Sequence, residues 1–264
     1  MGIVNLTEDS FSDGGRYLDP DRAIEHAQRL VADGADVIDL GPASSHPDAK
    51  HVEAEEEIRR LRPVVEVLLA AGVPVSVDSF QPETQRWALA RGVAWLNDIQ
   101  GFPEPELWPL LVESSCKLVV MHSIQRRGKA LRTESDPAQI AQVAARFLED
   151  RSGALIAAGV SPERIVVDPG MGFFVGSAPE ASIAVLDGLA GLRARLELPV
   201  LVSVSRKSFL QKLTGRDSAG VGAGTLTAEI VAALQGADWI RTHDVRALRD
   251  ALRVLTALQT PSSG

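Results

Sequence analysis

The sequence predicts an α/β protein, a single (β/α)₈ TIM barrel over residues 1–264, and three observations support this fold. Eight short apolar runs alternate with longer segments whose apolar residues recur at helical spacing. The runs are rich in β-branched residues, as in parallel strands that are buried on both faces. Several helical segments end in glycine, which readily closes a helix. An open doubly wound sheet is the alternative, but the number and even spacing of the units favour a closed barrel.

The predicted strands follow one another along the whole chain. They are Ile3–Leu6, Asp36–Leu40, Pro74–Ser79, Trp95–Ile99, Lys117–His122, Arg164–Gly170, Pro199–Ser205 and Asp238–His243. Because the first run begins at Ile3, we expect strand one to be unusually short and a few upstream residues to be missing.

Amphipathic helices are predicted between the strands. The apolar stripes of the first two helices are Ile24, Ala27, Leu30 and Val31, and Ile58, Leu61, Val65 and Leu68. The acidic run from Glu53 to Glu57 is expected to be a solvated helix start that complements the helix dipole. The glycines expected to end helices are Gly34, Gly72, Gly92, Gly159 and Gly236.

Composition limits the function classes. The net charge of -8 and pI of about 5.2 argue against unspecific binding to nucleic acid. Cys116 is the single cysteine, so no internal disulfide bond is possible, and we expect a thiol at the edge of the core. The chain carries no signal-peptide pattern and no apolar stretch long enough to span a bilayer, so the cytoplasm is the expected location.

Polar residues end all eight predicted strands. These ends are Asn5, Asp39, Asp78, Asn97-Asp98, Met121-His122, Asp168, Ser205-Arg206-Lys207 and Arg241-Thr242-His243. A single buried charge is often part of a structural ion pair, but polar groups at every strand end predict a shared pocket, because unpaired buried polar groups are costly. In this fold the active site lies at these ends and in the loops that follow them.

The residue types in this pocket indicate the ligand. Asp78, Asn97 and Asp168 are hydrogen-bond acceptors that suit a flat heterocycle with N–H donors. The basic residues, which suit a phosphate or carboxylate group, are Arg206, Lys207, Arg241 and His243. A loop with Gly14 and Gly15 is expected to close over the site. The sequence has no nucleotide-binding glycine motif, no zinc-ligand spacing and no nucleophile elbow.

Seven ordered segments resemble the motifs of dihydropteroate synthase. They are MGIVNLTEDSFSDGG, SVDS, LNDIQGF, VVMH, VVDPGMGF, VSRKSF and RTHDV. The resemblance implies a barrel enzyme that condenses 6-hydroxymethyl-7,8-dihydropterin diphosphate with p-aminobenzoate and releases diphosphate. It also implies Mg²⁺ as cofactor and a homodimer.

Site residues carried over by this resemblance fall into three groups. The pterin group is Asp78, Asn97, Asp168 and Lys207, with Ile99 and Met121 beside the ring. The diphosphate group is Ser45, His46, Arg241 and His243, with Asn5 as the Mg²⁺ ligand. The p-aminobenzoate group is Ser45, Phe173, Phe174, Ser205 and Arg206. The residues implied in catalysis are Asp78, Asp168, Lys207, Arg241 and His243.

Two loops depart from the family pattern. After strand two the chain reads GPASSHPDA where ordinary members read close to GGESTRPGA, so His46 replaces an arginine. After strand six it reads DPGMGFFVGSAPE where ordinary members read close to DPGIGFGK. These variants resemble the sulfonamide-insensitive Sul subgroup. Our hypothesis is that Phe173 or Phe174 clashes with the ring substituent of a sulfonamide; the alternative is that both simply pack under the loop.

Two other functions remain open at this point. A pterin-binding methyltransferase domain shares the barrel and the Asp/Asn pterin site but has no need of the basic residues at Arg206, Lys207 and Arg241. An inactive homologue that only binds pterin is compatible with the altered loops, but the intact polar set argues against it.

Overall fold

The computed structural model describes residues 1–7 and 19–259, and its strands are parallel and four or five residues long except for the last two. The strands are β1 Gly2–Asn5, β2 Ile38–Gly41, β3 Val75–Asp78, β4 Trp95–Asp98, β5 Lys117–Met121, β6 Ile165–Asp168, β7 Leu201–Val202 and β8 Trp239–Ile240. β1 has the same length as β2, so the expectation of an unusually short first strand is wrong. The shortest strands are β7 and β8, with two residues each.

The eight strands close into a barrel. β1 to β6 form one sheet in chain order, and β7 pairs with β8. A parallel bridge between Val167 and Val200 joins β6 to the chain that enters β7, and another between Gly2 and Thr242 joins β1 to the chain that leaves β8. The Ile3 N–H donates to the Thr242 carbonyl at 3.0 Å across that last seam. The predicted (β/α)₈ barrel is therefore confirmed.

Helices follow the strands, and the predicted stripes are buried at Ala27, Leu30, Leu61, Val65 and Leu68, whereas Val31 is 36% exposed. The helices are α1 Pro20–Ala32, α2 Ala54–Ala70, α3 Pro82–Ala90, α4 Trp108–Glu113, α5 Pro137–Ala157, α6 Pro179–Asp187, α7 Leu189–Leu196, α8 Ser208–Thr214, α9 Gly222–Leu234 and α10 Val245–Gln259. Each of the five glycines expected to end a helix has a positive φ. No helix in the described ranges is long and apolar enough to cross a membrane.

The prediction that the whole acidic run before and within α2 is solvated is wrong for Glu57. This carboxylate is 1% exposed and accepts hydrogen bonds from Ser79 Oγ at 2.6 Å and Thr84 Oγ1 at 2.7 Å. Glu57 therefore fastens α2 to the loop after β3. Its burial raises its pKa, while these hydrogen bonds act in the opposite direction.

Inward-pointing side chains form two layers in the barrel interior: an apolar floor at the N-terminal end and a polar site at the C-terminal end. Every second residue of a barrel strand points to the interior. Apolar residues from six strands or their edges form one buried cluster toward the N-terminal end of the barrel: Met1, Val37, Trp95, Val119, Val166 and Leu201. Two residues further along β4 and β6, the same interior face carries Asn97 and Asp168. The polar site therefore rests on an apolar floor.

Cys116 is 3% exposed in the main core, and burial raises its pKa to about 12, as an inert core thiol requires.

Candidate active site

Strand register brings the predicted pterin residues to one edge of the sheet. Asp78 is the direct partner of Asn97 across β3 and β4, and Met121 is the partner of Asp168 across β5 and β6. Because all pairs are parallel, these positions lie at the same C-terminal end of the barrel.

Two adjoining cavities open at this end. The outer cavity, of about 530 Å³, is lined by Asn5, Ser45, His46, Asp78, Phe173, Phe174, Ser205, Arg206, Lys207, Arg241 and His243, among others. The inner cavity, of about 20 Å³, is lined by Ser45, Asp78, Asn97, Ile99, Met121, Asp168, Phe174, Lys207 and Arg241, with Met171 and Ser203. All fifteen site residues predicted from the sequence therefore line one or both cavities. A bicyclic ring needs more room than the inner cavity offers, so a ligand of the predicted pterin class would also extend into the outer one.

The inner cavity presents acceptors to a ligand. Asp168 is 3% exposed and accepts a hydrogen bond from the Gly170 N–H at 2.8 Å, and burial raises its pKa to about 6. The Asn97 Oδ1 atom is buried and has no hydrogen-bond partner in the described structure. Lys207 Nζ lies 4.9 Å from the centre of the Phe174 ring, and burial followed by the charge of Arg241 lowers its pKa to about 8.

Arg241 joins two carboxylates. Its Nε donates to Asp39 Oδ2 at 2.6 Å and its Nη2 donates to Asp78 Oδ2 at 2.8 Å. Burial raises the pKa of Asp78 to about 7, although the Arg241 charge acts against this shift. A guanidinium has five N–H donors, so these bonds leave donors for an anionic ligand.

Ser205, in the loop after β7, forms hydrogen bonds with His243. The backbone N–H of His243 donates to Ser205 Oγ at 3.2 Å, and Ser205 Oγ lies 2.9 Å from His243 Nδ1. The hydroxyl can then donate to Nδ1, which favours the tautomer with its hydrogen on Nε2. Burial, with Arg206 and Arg241 nearby, lowers the pKa of His243 well below its usual value, so the ring is neutral. Asn5 Nδ2 lies 3.5 Å from Nε2, so the predicted metal ligand is beside the diphosphate group.

The structure separates the two phenylalanines. Phe174 is 4% exposed and packs with Ile99, Met121 and Ala130. Phe173 is half-buried and lines only the outer cavity. The His46 ring meets Phe173 edge to face, with centroids 5.6 Å apart. The two loops that depart from the family pattern therefore touch each other at the rim.

Other strand-end residues lie outside the two cavities. Asp98 is fully buried and accepts hydrogen bonds from Gln85 Nε2 at 2.9 Å and from the Gln100 and Phe102 N–H groups. His122 Nδ1 lies 3.1 Å from the Pro169 carbonyl, and burial lowers its pKa to about 4. Both residues support loops. The predicted loop with Gly14 and Gly15 lies outside the described residues.

Several cavity residues were not assigned from the sequence. Among them are Met171, Ser203, Ser208 and Gln211. Asp39, predicted only as a polar strand end, lines neither cavity but holds Arg241. Asp39 and Ser203 share a signal with Asn97, since each has a buried side-chain oxygen without a partner in the described structure. Counting inward positions at intervals of two past β7 would have found Ser203.

Sequence comparisons identify the family of the chain. A family model described as "Pterin binding enzyme" matches residues 1–243. The chain is 59% identical over 259 residues to dihydropteroate synthase type-2 of Escherichia coli, covering 98% of this chain and 95% of the relative. The chain belongs to the dihydropteroate synthases. It is also 51% identical to the type-1 enzyme of Escherichia coli, covering 96% of this chain and 91% of the relative.

A solved dihydropteroate synthase has the same fold. The Xanthomonas albilineans enzyme with 4-aminobenzoic acid is 38% identical and superposes with a TM-score of 0.89, covering 98% of this chain and 92% of the other. The family resemblance predicted from the seven segments is thus confirmed.

Proposed function

We propose that this dihydropteroate synthase condenses 6-hydroxymethyl-7,8-dihydropterin diphosphate with p-aminobenzoate to give 7,8-dihydropteroate and diphosphate in folate biosynthesis. One observation carries the proposal: buried acceptors at Asn97 and Asp168 and anion-binding groups at Arg241 and His243 line adjoining cavities. A substrate with a pterin at one end and a diphosphate at the other matches both. This arrangement does not favour the methyltransferase alternative, whose substrate carries no diphosphate.

The chain's residues have separate tasks in this reaction. As the bond from the pterin methylene to the diphosphate oxygen breaks, Asp78 and Asp168 stabilise the positive charge that spreads over the ring. Arg241 and the Nε2–H of His243 stabilise the departing diphosphate. The amine of p-aminobenzoate then forms the new C–N bond and gives up a proton. No protein nucleophile is needed.

Mg²⁺ fits this site as an ion held chiefly by the diphosphate. No group of three or more His, Cys, Asp or Glu side chains within residues 1–7 and 19–259 is arranged to hold a metal. Mg²⁺ typically keeps several waters and binds through one or two protein oxygens plus substrate phosphates. Asn5, whose side-chain amide lies beside His243, can supply one such ligand through its Oδ1 atom. The ion would neutralise charge on the leaving diphosphate.

Release of diphosphate tests the reaction. Mixing the purified chain with both substrates should release diphosphate only when p-aminobenzoate is present, and Asp168→Asn should lower the rate by about a hundredfold or more. A strain that lacks its own dihydropteroate synthase should grow when it expresses this chain. Failure of both the release and the rescue would favour an inactive pterin-binding homologue.

Insensitivity to sulfonamides forms the second part of the proposal, and Phe173 is its candidate residue. Phe173 lines only the outer cavity, where an arylamine must enter, whereas Phe174 lines both cavities but is 4% exposed and lies beneath Lys207. A sulfonamide carries a substituent beyond the space of a carboxylate, so a ring at the mouth can exclude the drug and admit the substrate.

Alanine at each position separates the two residues. Phe173→Ala should lower the ratio of the sulfonamide Ki to the p-aminobenzoate KM by roughly tenfold. Phe174→Ala should instead lower stability, by about 3 kcal/mol or more, because it leaves a cavity in a packed cluster. An unchanged ratio in both variants would refute the hypothesis.

The homodimer and the cytoplasmic location stay predictions. Both come from the family resemblance and the composition of the chain, and sedimentation of the purified protein would test the first.

A further inference from the structure

The loop after β5, residues 123–136, joins the two variant loops of the site. On one side the Ala130 N–H donates to the Ser45 carbonyl at 3.1 Å. On the other the Ile124 N–H donates to the Phe174 carbonyl at 3.0 Å, and the Ser177 N–H donates to the Thr133 carbonyl at 2.8 Å. This β5 loop therefore fixes the spacing between the loops after β2 and β6.

Arg132 of the β5 loop contacts both variant loops with one guanidinium group. It forms a two-pronged ion pair with Asp48 after β2, with Nη1 at 2.5 Å from Oδ1 and Nη2 bonded to Oδ2. Its Cζ atom lies 5.6 Å from the centre of the Phe173 ring after β6. A forked arginine–carboxylate pair has a fixed plane, so the cation is held in a defined position at the ring.

His46 completes a ring of contacts around Phe173. The Asp48 N–H donates to His46 Nδ1 at 3.2 Å, and the Asp48 carboxylate lies 3.7 Å from that nitrogen. The His46 ring meets Phe173 at an interplanar angle of 84°. The guanidinium pairs with the Asp48 carboxylate and the imidazole accepts the Asp48 backbone N–H, so both partners of Phe173 are attached to the same residue.

We propose that Arg132 is a positioning residue that, through its ion pair with Asp48, holds the Phe173 ring at the mouth of the outer cavity and so sets discrimination against sulfonamides. The proposal rests on the proposed function. Phe173 is only half-buried and packs against the cluster of Ile99, Met121, Ala130 and Phe174 from its edge, so contacts on its outer side contribute to its position. Arg132 and Asp48 are 53% and 58% exposed, and contacts of this kind are individually weak. Their effect should therefore be a several-fold change in selectivity.

The test measures the ratio of the sulfonamide Ki to the p-aminobenzoate KM in matched variants. Arg132→Gln and Asp48→Asn should each lower this ratio about threefold to tenfold, because the ring is freed to move aside. Arg127→Gln is the control: it removes the same charge from the same loop, where Arg127 pairs with Glu104. The control should leave the ratio within about twofold of the parent.

The decisive variant combines Arg132→Gln with Phe173→Ala. If Arg132 acts through the ring, its replacement lowers the ratio no further once Phe173 is alanine. Two results would overturn the proposal while leaving the proposed function intact. One is a further drop in the ratio when Arg132→Gln is added to Phe173→Ala. The other is an unchanged ratio in Arg132→Gln although Phe173→Ala lowers it. An unchanged ratio in the single variant Phe173→Ala would show that the Phe173 ring does not discriminate against sulfonamides, which would also overturn the proposal. Absence of diphosphate release from the parent enzyme defeats the proposed function.

Discussion

Asp39 has no exposed surface, and within the described structure its Oδ1 accepts no hydrogen bond. The ion pair with Arg241 offsets the cost of burying the Asp39 carboxylate. Without Asp39, the Arg241 guanidinium would pair with Asp78 alone. Asp39 therefore affects the proposed diphosphate site indirectly, because it orients Arg241.

Replacement of Asp39 should be costly. Asp39→Ala should lower the free energy of unfolding by about 3 kcal/mol or more, because it leaves a largely buried arginine short of a partner. Asp36→Ala removes a carboxylate three residues earlier, where Asp36 and Arg249 form an exposed pair, and should cost less than about 1 kcal/mol. Urea denaturation of both variants would check this; equal losses would contradict it.

The site carboxylates should give activity a strong pH dependence. Burial raises the pKa of Asp78 to about 7 and that of Asp168 to about 6, and only their ionised forms stabilise a cationic ring. The kcat/KM for the pterin substrate should therefore fall as the pH drops from 7 toward 6. Loss of the Lys207 charge, whose pKa is lowered to about 8, should give a second fall at alkaline pH. Initial rates between about pH 5 and pH 9 test this, and a flat acid limb would contradict it.

At the scale of elements, α3 supports the ends of two strands through one side chain. Gln85 Nε2 donates to the Ser79 carbonyl at 2.8 Å in the loop after β3 and to Asp98 Oδ2 at the end of β4. Asp78 and Asn97, the neighbouring residues, face the cavities. The relative position of two ligand-binding strands thus depends on a helix residue that is 2% exposed.

Gln85→Leu should weaken both stability and substrate binding. Two buried acceptors lose their donor, which should cost about 1–3 kcal/mol of unfolding free energy. The KM for the pterin substrate should rise more than kcat falls, because Asp78 and Asn97 shift relative to each other. Gln139→Leu on α5, whose side chain bonds only the exposed Asp136, is the control. A normal KM in a well-folded Gln85→Leu would count against the positioning role.

The turn after β6 demands glycine. Gly170 has φ +79°, and a Cβ there would lie 2.5 Å from the His122 carbonyl oxygen. Gly215 has a similar φ of +65° with nothing within 4 Å of such a Cβ. Gly215→Ala should therefore cost only backbone strain of about 1–2 kcal/mol, whereas Gly170→Ala should cost clearly more because backbone must move. Thermal unfolding of both variants distinguishes the two effects, and equal losses would show that the contact relaxes freely.

For the whole molecule, the sequence was informative where a pattern repeats. Eight apolar runs with glycine-closed helices predicted the barrel, and polar strand ends predicted the pocket. Pairings between distant segments escaped prediction: nothing local shows that Glu57 reaches Ser79 or that Asp39 meets Arg241. The roles of Phe173 and Phe174 likewise depend on which ring the fold buries.

The ends of β7 and β8 were overestimated for a related reason. Their predicted segments are as long as the others, but the chain past Val202 and Ile240 presents Ser205 and Arg241 to the cavities. Pairing past Ile240 is reduced to single contacts such as the parallel bridge between Gly2 and Thr242. Sequence periodicity does not contain that information.

The floor of the barrel gives the molecule an optical signature. Trp95 on β4 and Trp239 on β8 come from opposite walls, yet their rings lie 4.7 Å apart at 68°, with Lys117 Nζ 5.1 Å from the first. Two indoles held so closely should couple and dominate the near-ultraviolet circular dichroism, a signal that exists only while the walls enclose the floor. Trp95→Phe and Trp239→Phe should each abolish that band, whereas Trp87→Phe on α3 should leave it. If the band stays intact in either Trp95→Phe or Trp239→Phe, it does not arise from this pair. If both variants abolish it, its loss on heating reports the opening of the barrel separately from the melting of the helices.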